Sequence, residues 1–530
     1  MTSNLVNDGK TNQPAQMTGL NGYSVEPIFT IGETFQDGSQ GDYTPPGILD
    51  GLGAFALDDD TVRVLANHEL KPDLGYAYSL ANGTELTGAR VSFFDIDIET
   101  REVVDTGLAF DTIINRAGEV VDEASDLEFE GLNRFCSAHY IEANQFGEGR
   151  GFVDDIFFTG EEAAFSEKPG ENGGGTEFAL DVETNTLYAV PWLGRAAFEN
   201  VTELDTGNDN TISLLIGDDR GAAPLLLYVG EKETDSSDFL ERNGLANGSL
   251  YVWVADDPTI NNPEEFNGTG NNLDGQFVEI DYYRPELAGT AVDANNDGSI
   301  QDDAGYDEQG FATQFQQDAL GAAVGAFRFS RPEDVATYPQ DGTQAVLAST
   351  GRGSIFPSDT WGTTYELEVD FSDDDGNSSL SAELEILYDG DDAGAGQFTD
   401  SDFGLRSPDN LDWADDGNIY IQEDRATSPK EIFGSESDEE ASIWKLDPDS
   451  GELTRVAQID RSAVPEGQTD SEPDDLGNWE SSGILDVSSL FGADPGELLI
   501  FDVQAHSVTD GSIGGEENLV EGGQLAFLEP

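Results

Sequence analysis

Three segments of this chain repeat one pattern: an alternating apolar run, an Asp that opens a turn, then a second alternating run. They are Phe94-Asp-Ile-Asp97-Ile-Glu-Thr100-Arg-Glu-Val103, Phe178-Ala-Leu-Asp181-Val-Glu-Thr184-Asn-Thr-Leu187 and Trp444-Lys-Leu-Asp447-Pro-Asp-Ser450-Gly-Glu-Leu453. Period-two alternation marks a half-buried strand. An Asp carboxylate can accept from backbone N–H groups just ahead of it, so each segment predicts a hairpin. Looser copies occur at 250–253, 410–421 and 498–502. Recurrent hairpins without intervening helices argue against a βαβ sheet. They predict an all-β chain, a β-propeller, with a sandwich of similar hairpins as the rival.

The irregular spacing of these hairpins predicts a single propeller domain over 21–530 with polar, acidic insertions near 255–326, 388–402 and 425–440. One helical stretch is expected over 309–327, where Phe311, Phe315, Leu320, Val324 and Phe327 share a face. Residues 1–20 read as a mobile tail.

The 23 Lys and Arg against 108 Asp and Glu leave a net charge of −85. That excludes the basic face on which counterion-release binding of nucleic acid depends, and it disfavours anionic membranes. It suits solubility in a saline medium and attraction of cations. No apolar run is long enough to span a bilayer, so no membrane insertion is expected. Cys136 is the sole cysteine, so an intrachain disulfide is impossible. The first residues lack both a basic and an apolar leader region. The acidity and the calcium-like motifs favour an extracellular or cell-surface protein without a classical signal, over a cytosolic one.

Short carboxylate motifs lie at the strand ends: Asn67-His68-Glu69, Thr159-Gly160-Glu161-Glu162, Phe198-Glu199-Asn200, Gly217-Asp218-Asp219-Arg220, Arg331-Pro332-Glu333-Asp334, Ser407-Pro408-Asp409-Asn410, Gln422-Glu423-Asp424-Arg425 and Trp479-Glu480-Ser-Ser-Gly483. One such motif is ordinarily a turn former. If the strands surround an axis, many carboxylates meet, and only cations make that tolerable. Oxygen ligands suit Ca²⁺ or Mg²⁺ and also accommodate Fe³⁺. Separately, Asp293-Ala-Asn295-Asn-Asp297-Gly298 matches the front of an EF-hand-like calcium loop. Ala304 stands where the closing Glu belongs, so Asp302, Asp303 or Asp307 would have to close it. Zinc-hydrolase His pairs, a Gly-x-Ser-x-Gly elbow and a P-loop are all absent. His506 reads equally as a ligand-orienting group or a satisfied buried histidine, and Cys136 as a small core residue.

Taken in order, these motifs, with Leu193-Gly194-Arg195 and Asp502-Val-Gln504-Ala-His506, resemble those of the PhoX-type alkaline phosphatases over roughly 62–507. The resemblance implies a propeller, six-bladed, whose calcium and iron centre hydrolyses phosphomonoesters through a metal-bridging oxygen. Carried over by motif, Glu69, Glu162, Glu199, Asp218, Glu333, Asp409, Glu423 and Glu480 would hold metal. Arg195 and Arg352 would grip phosphate, and the substrates would be small phosphorylated metabolites. Two departures stand out. Gly160 stands where the family's Thr-Cys-Glu-Glu pattern has a cysteine, and the family's Gly-Arg-Phe-x-His-Glu appears here as Gly194-Arg195-Ala-Ala-Phe198-Glu199, without the histidine. A calcium-stabilised, non-enzymatic surface propeller is therefore the alternative, and a propeller lactonase or phosphotriesterase is a third reading.

Overall fold

The computed structural model describes residues 5–164, 173–294, 298–301, 304–373, 379–514 and 518–530. The chain divides into two compact units, Met1–Asp111 with Asp122–Tyr140 and Gly396–Pro530, and Thr112–Val121 with Ile141–Ala395.

The first unit contains three four-stranded antiparallel meanders. One runs Leu49–Ala56, Thr61–His68, Arg90–Asp97, Val103–Leu108. Another runs Pro408–Trp413, Ile419–Glu423, Ser442–Asp447, Glu452–Ile459, with the short strand Met17–Gly19 added at its edge. The last joins Glu480–Asp486, Leu499–Ala505 and Gly522–Glu529 to Ser24–Thr30 from the far end of the chain, in register from Ser24 opposite Glu529 to Thr30 opposite Gln524. Closing a sheet with the opposite terminus covers an edge that would otherwise stay open. Residues 1–20, expected as a tail, are tied down from residue 5 onward. Leu5–Asn7 pairs with Glu33–Gly38, Met17–Gly19 pairs with Glu452–Ile459, and Asn7, Gln16 and Met17 are buried. The segment is held largely by its backbone, which side-chain polarity does not report.

The second unit is built the same way. Ile156–Glu161, Glu177–Asp181 and Thr186–Ala189 form one meander, with Thr112–Ile114 parallel at its edge. Phe198–Leu204, Thr211–Asp218, Leu226–Glu231 and Gly248–Ala255 form the next, and Pro332–Thr337, Gln344–Ser349, Thr363–Asp370 and Ser379–Asp389 a third. Asn272–Ile280 hydrogen-bonds to the last strand of both, which joins them in one nine-stranded sheet. Four-stranded meanders of this kind are propeller blades, and the all-β, β-propeller expectation holds.

The Asp-initiated hairpins form as read. Asp97 Oδ1 accepts from the N–H groups of Glu99 and Thr100 at 3.1 and 2.8 Å, Asp181 Oδ1 from Glu183 at 3.1 Å, and Asp447 Oδ1 from Ser450 at 3.0 Å. The alternating apolar faces pack into clusters inside each unit, such as Val62, Val64, Phe94 and Ile96 in the first and Leu215, Leu227, Trp253 and Phe277 in the second.

The helix is shorter than expected, Gln314–Val324, capped by the Thr313 side chain and ended by Gly325 at φ 88°. Its buried face is also different. Gln314, Gln316, Gln317 and Gly321 face inward, while Val324 is exposed. Gln317 explains the inversion, because it brackets one residue's backbone: Oε1 accepts from Arg195 N at 3.1 Å and Nε2 donates to Arg195 O at 2.8 Å. The helix therefore serves as a polar clamp on the Arg195 loop.

Candidate metal centre

Four meanders share an irregularity in their first strand. The ladder slips between Leu49 and Leu52, Phe198 and Val201, Pro332 and Val335, and Pro408 and Leu411. The residues inside each slip are Asp50-Gly51, Glu199-Asn200, Glu333-Asp334 and Asp409-Asn410. A bulge sets two residues against one, so the carboxylate drops out of the alternation that would aim it at the apolar core or the opposite face.

In the first unit, Asp50, Glu69 and Cys136 bring one donor atom each within 4.8 Å of one another, and Asp409, Asp424 and Glu480 do the same. Asp50 links the two sets. Its Oδ2 accepts from Gln504 Nε2 at 3.0 Å and from the Cys136 thiol at 3.4 Å, and its Oδ1 accepts from Asn410 Nδ2 at 3.2 Å. Burial, then the charges of Glu69 and Glu480, push the Asp50 carboxyl well above the usual range. Such crowding is relieved by a proton or a cation. The outer partners fix orientation: Arg134 Nε donates to Glu69 at 2.7 Å, and Ser482 Oγ to Glu480 Oε1 at 2.6 Å. His506 spans Glu480 at 3.3 Å and Glu521 at 2.6 Å. Burial alone would lower the His506 pKa, but these two carboxylates outweigh it and hold the ring protonated well above its ordinary value.

In the second unit, Glu199, Asp219 and Glu333 likewise bring one oxygen each within 4.8 Å of one another, and Glu162 lies against Asp219. Arg331 grips Asp219 with two bonds of 2.5 and 2.7 Å and reaches Glu333 at 3.0 Å. Burial would raise the Asp219 pKa, yet the Arg331 guanidinium reverses this and keeps the carboxylate ionised. All four acids are buried.

Glu69, Glu162, Glu199, Glu333, Asp409 and Glu480 thus stand in or against these groups, as the motifs suggested. Asp218 and Glu423 do not. Asp218 accepts from Arg220 Nε at 2.8 Å and from Ala197 N at 3.0 Å. Glu423 is fully buried and held by Arg406 at 3.1 and 2.9 Å. Their chain neighbours, Asp219 and Asp424, take the places in the acid groups. The reason is positional. Asp218 and Glu423 are the last residues of their strands and keep the strand alternation, whereas the next residue lies past the ladder and is free to turn.

Arg195 is buried, with Asp307 at 3.9 Å, while Arg352 is exposed and makes no ion pair among the described residues. Arg352 lies in the loop that leaves Gln344–Ser349, where Thr350 N donates to Arg331 O at 3.2 Å. In the calcium-like loop, Asp293 Oδ2 accepts from Gly298 N at 2.8 Å, while Asn295, Asp297, Asp302 and Asp303 lie outside the described residues. Asp307 is engaged elsewhere. It accepts from Gln309 N and Phe311 N at 3.0 and 2.9 Å and faces Arg116 at 3.6 Å.

Sequence reasoning missed Asp50 as a candidate ligand and read Cys136 as a small core residue. A usable signal was present, since Leu49-Asp50-Gly51-Leu52 repeats the form of Phe198-Glu199-Asn200-Val201, Pro332-Glu333-Asp334-Val335 and Pro408-Asp409-Asn410-Leu411. The departure at Gly160 has a steric basis. A Cβ there would lie 2.2 Å from Phe198 Cβ and 2.3 Å from Glu177 Oε2, so no side chain fits. The donor chemistry differs between the groups. Asp50, Glu69 and Cys136 offer two carboxylates and a thiol, suited to a borderline metal, whereas Glu199, Asp219 and Glu333 offer carboxylate oxygens alone, suited to hard cations.

Residues 133–470 match the family model for alkaline phosphatase PhoX. No curated protein shows significant similarity to the chain. Among solved structures, Pseudomonas fluorescens PhoX in complex with vanadate, a transition state analogue, is similar with a TM-score of 0.59 and 16% identity, covering 98% of this chain and 97% of that one. A PL25 polysaccharide lyase, an ulvan lyase, gives a TM-score of 0.32 at 10% identity, covering 94% of each chain. A copper-containing fungal alcohol oxidase of family AA5 gives 0.33 at 10% identity, covering 91% of this chain and 76% of that one. At those two scores the likeness carries no weight. Among the described residues no helix is long and apolar enough to cross a membrane.

Proposed function

The chain belongs to the alkaline phosphatase PhoX family, metal-dependent hydrolases of phosphoric esters, and from that premise we propose that it hydrolyses phosphomonoesters with calcium and iron as its metals. The observation that carries this reading is the sole thiol of the chain, Cys136, beside Asp50 and Glu69. One sulfur and two carboxylates fit iron, and the all-oxygen groups fit calcium. When bound, such cations polarise phosphoryl oxygens and make water a competent nucleophile at moderate pH.

The protein's own part is to bind and orient. Arg134 holds Glu69, Ser482 and His506 hold the two oxygens of Glu480, and Arg331 holds Asp219, so each acid is fixed before a cation arrives. Arg352, exposed and without an ion pair among the described residues, is the guanidinium we assign to the nonbridging oxygens of the substrate. Arg195, held under Asp307, supports its loop instead. A net charge of −85 favours small phosphorylated metabolites over nucleic acid, and it suits an exported protein.

The test is hydrolysis of a chromogenic phosphomonoester at alkaline pH, after chelation and after return of Ca²⁺ with Fe³⁺. Activity should vanish on chelation and return with both metals. Folded protein that stays inert under every metal condition would leave the calcium-stabilised, non-enzymatic propeller as the better reading.

A further inference from the structure

Deep in the first unit lies a carboxylate to which the candidate centre assigns no part. Asp502 sits in the middle of Leu499–Ala505 and is fully buried, and neither of its oxygens has a hydrogen-bond donor among the described residues. A buried carboxylate left without donors is costly, whether it keeps its charge or is forced to hold a proton. Two amides beside it add to the imbalance. Gln504 Nε2 donates to Asp50 Oδ2 at 3.0 Å and to Ser482 Oγ at 3.2 Å, while Asn410 Nδ2 donates to Asp50 Oδ1. These bonds to a carboxylate fix which end of each amide is the nitrogen. Gln504 Oε1 and Asn410 Oδ1 are therefore compelled to be acceptors, and both are buried with no donor among the described residues.

The backbone also brings a carbonyl toward this carboxylate. Gly483 is the extra residue of a bulge between Ser482, which pairs with Asp502, and Ile484, with φ at 50°. A Cβ at Gly483 would lie 2.5 Å from the Asp50 carbonyl oxygen, 2.8 Å from Leu52 Cγ and 2.9 Å from Asp502 Oδ2, closer than a side chain tolerates. The Asp50 carbonyl and the Asp502 carboxylate therefore converge on the Gly483 backbone from the neighbouring strands.

We propose that Asp502, with the Asp50 carbonyl and the acceptor end of Gln504, binds a calcium ion between the strands Leu49–Ala56, Glu480–Asp486 and Leu499–Ala505, separate from the thiol and carboxylate groups of the candidate centre. Calcium takes six to eight oxygens and accepts carbonyl, amide and carboxylate donors in irregular geometry. A smaller magnesium ion would demand a stricter octahedron and keep its waters. The ion's role is structural: it ties three strands together beneath the acids and supplies the positive charge that the buried oxygens lack. The proposal stands whether or not the chain hydrolyses phosphate.

The test compares full-length wild type with Asp502→Asn, purified in millimolar CaCl₂ and freed of loose ions, by elemental analysis. The variant should lose one equivalent of calcium and keep its iron. The calcium concentration needed for half-maximal thermal stabilisation should rise at least tenfold. Asn is nearly isosteric with a protonated Asp, so an unchanged calcium count, or a variant more stable than wild type, would overturn the proposal and make Asp502 a buried neutral acid. If the variant does not fold, wild-type crystals soaked in Tb³⁺ decide the matter. An anomalous peak between the Asp502 carboxylate and the Asp50 carbonyl supports the site, and its absence removes it.

Discussion

The two units hold their acids in different company. In the first, Asp50 and Glu69 stand beside a thiol, and Glu480 beside a histidine that two glutamates keep charged. In the second, Glu199, Asp219 and Glu333 form an all-carboxylate group that Arg331 grips through Asp219. The strand bulge that presents the acids is the same in both. Presentation is therefore a property of the blade, and metal preference is a property of a few neighbours. A bulge turns any acid off the core face, but only Cys136 changes the softness of the donor set.

The sharpest way to break this comparison is to remove the sulfur. Cys136→Ser should abolish iron binding while calcium stays, with kcat reduced by about 10²-fold or more, since ligands matter at least as much as their supporting partners. Iron content unchanged in that variant would end the distinction between the units.

Next come the neighbour pairs. Glu423→Gln should leave the metal content intact but cost about 3–5 kcal/mol in urea unfolding, because it breaks the fully buried ion pair with Arg406 and leaves the guanidinium with Asp402 at 3.4 Å. Asp424→Asn should do the reverse, losing metal with little change in stability once metal is absent. In the second unit, Asp219→Asn should lose calcium and about 10- to 100-fold in activity. Asp218→Asn should mainly destabilise, by removing one of the two carboxylates that hold Arg220 and leaving it with Asp318. Identical behaviour within either pair would show that the strand-end geometry does not sort these acids.

Chelation should lower the melting temperature by on the order of 10 °C, because ions bound to the native state alone stabilise it by mass action. An unchanged scanning-calorimetry trace would count against metal-filled groups in both units.

The most gradual effect comes from a buried acid outside both groups. Burial raises the Glu203 pKa from 4.5 to about 8, although Gln145 hydrogen-bonds to it at 2.8 Å. Between those values the folded state keeps a proton that the unfolded chain has lost. Its contribution to stability is therefore full below about pH 4.5, falls as pH rises, and levels off above 8, with a slope of at most about 1.4 kcal/mol per pH unit. Glu203→Gln should flatten the stability profile across pH 5 to 8. A slope matching wild type would place the titration elsewhere.

The amino-acid sequence by itself determined the strands, the Asp turns and the presence of acids at strand ends. These are local matters: period-two alternation and an Asx turn are written within ten residues, as at Asp97, Asp181 and Asp447. It did not determine which of two adjacent acids enters a group, as between Asp218 and Asp219 or Glu423 and Asp424, because that depends on where the ladder ends and which arginine arrives from elsewhere. Nor did it place Cys136 beside Asp50, or turn the glutamine face of Gln314–Val324 inward, since both depend on partners distant in the chain. Local hydrogen bonding fixes conformation over a few residues. Only folding decides which distant charges share a dry space, and there each carboxylate must find an arginine, a proton or a cation.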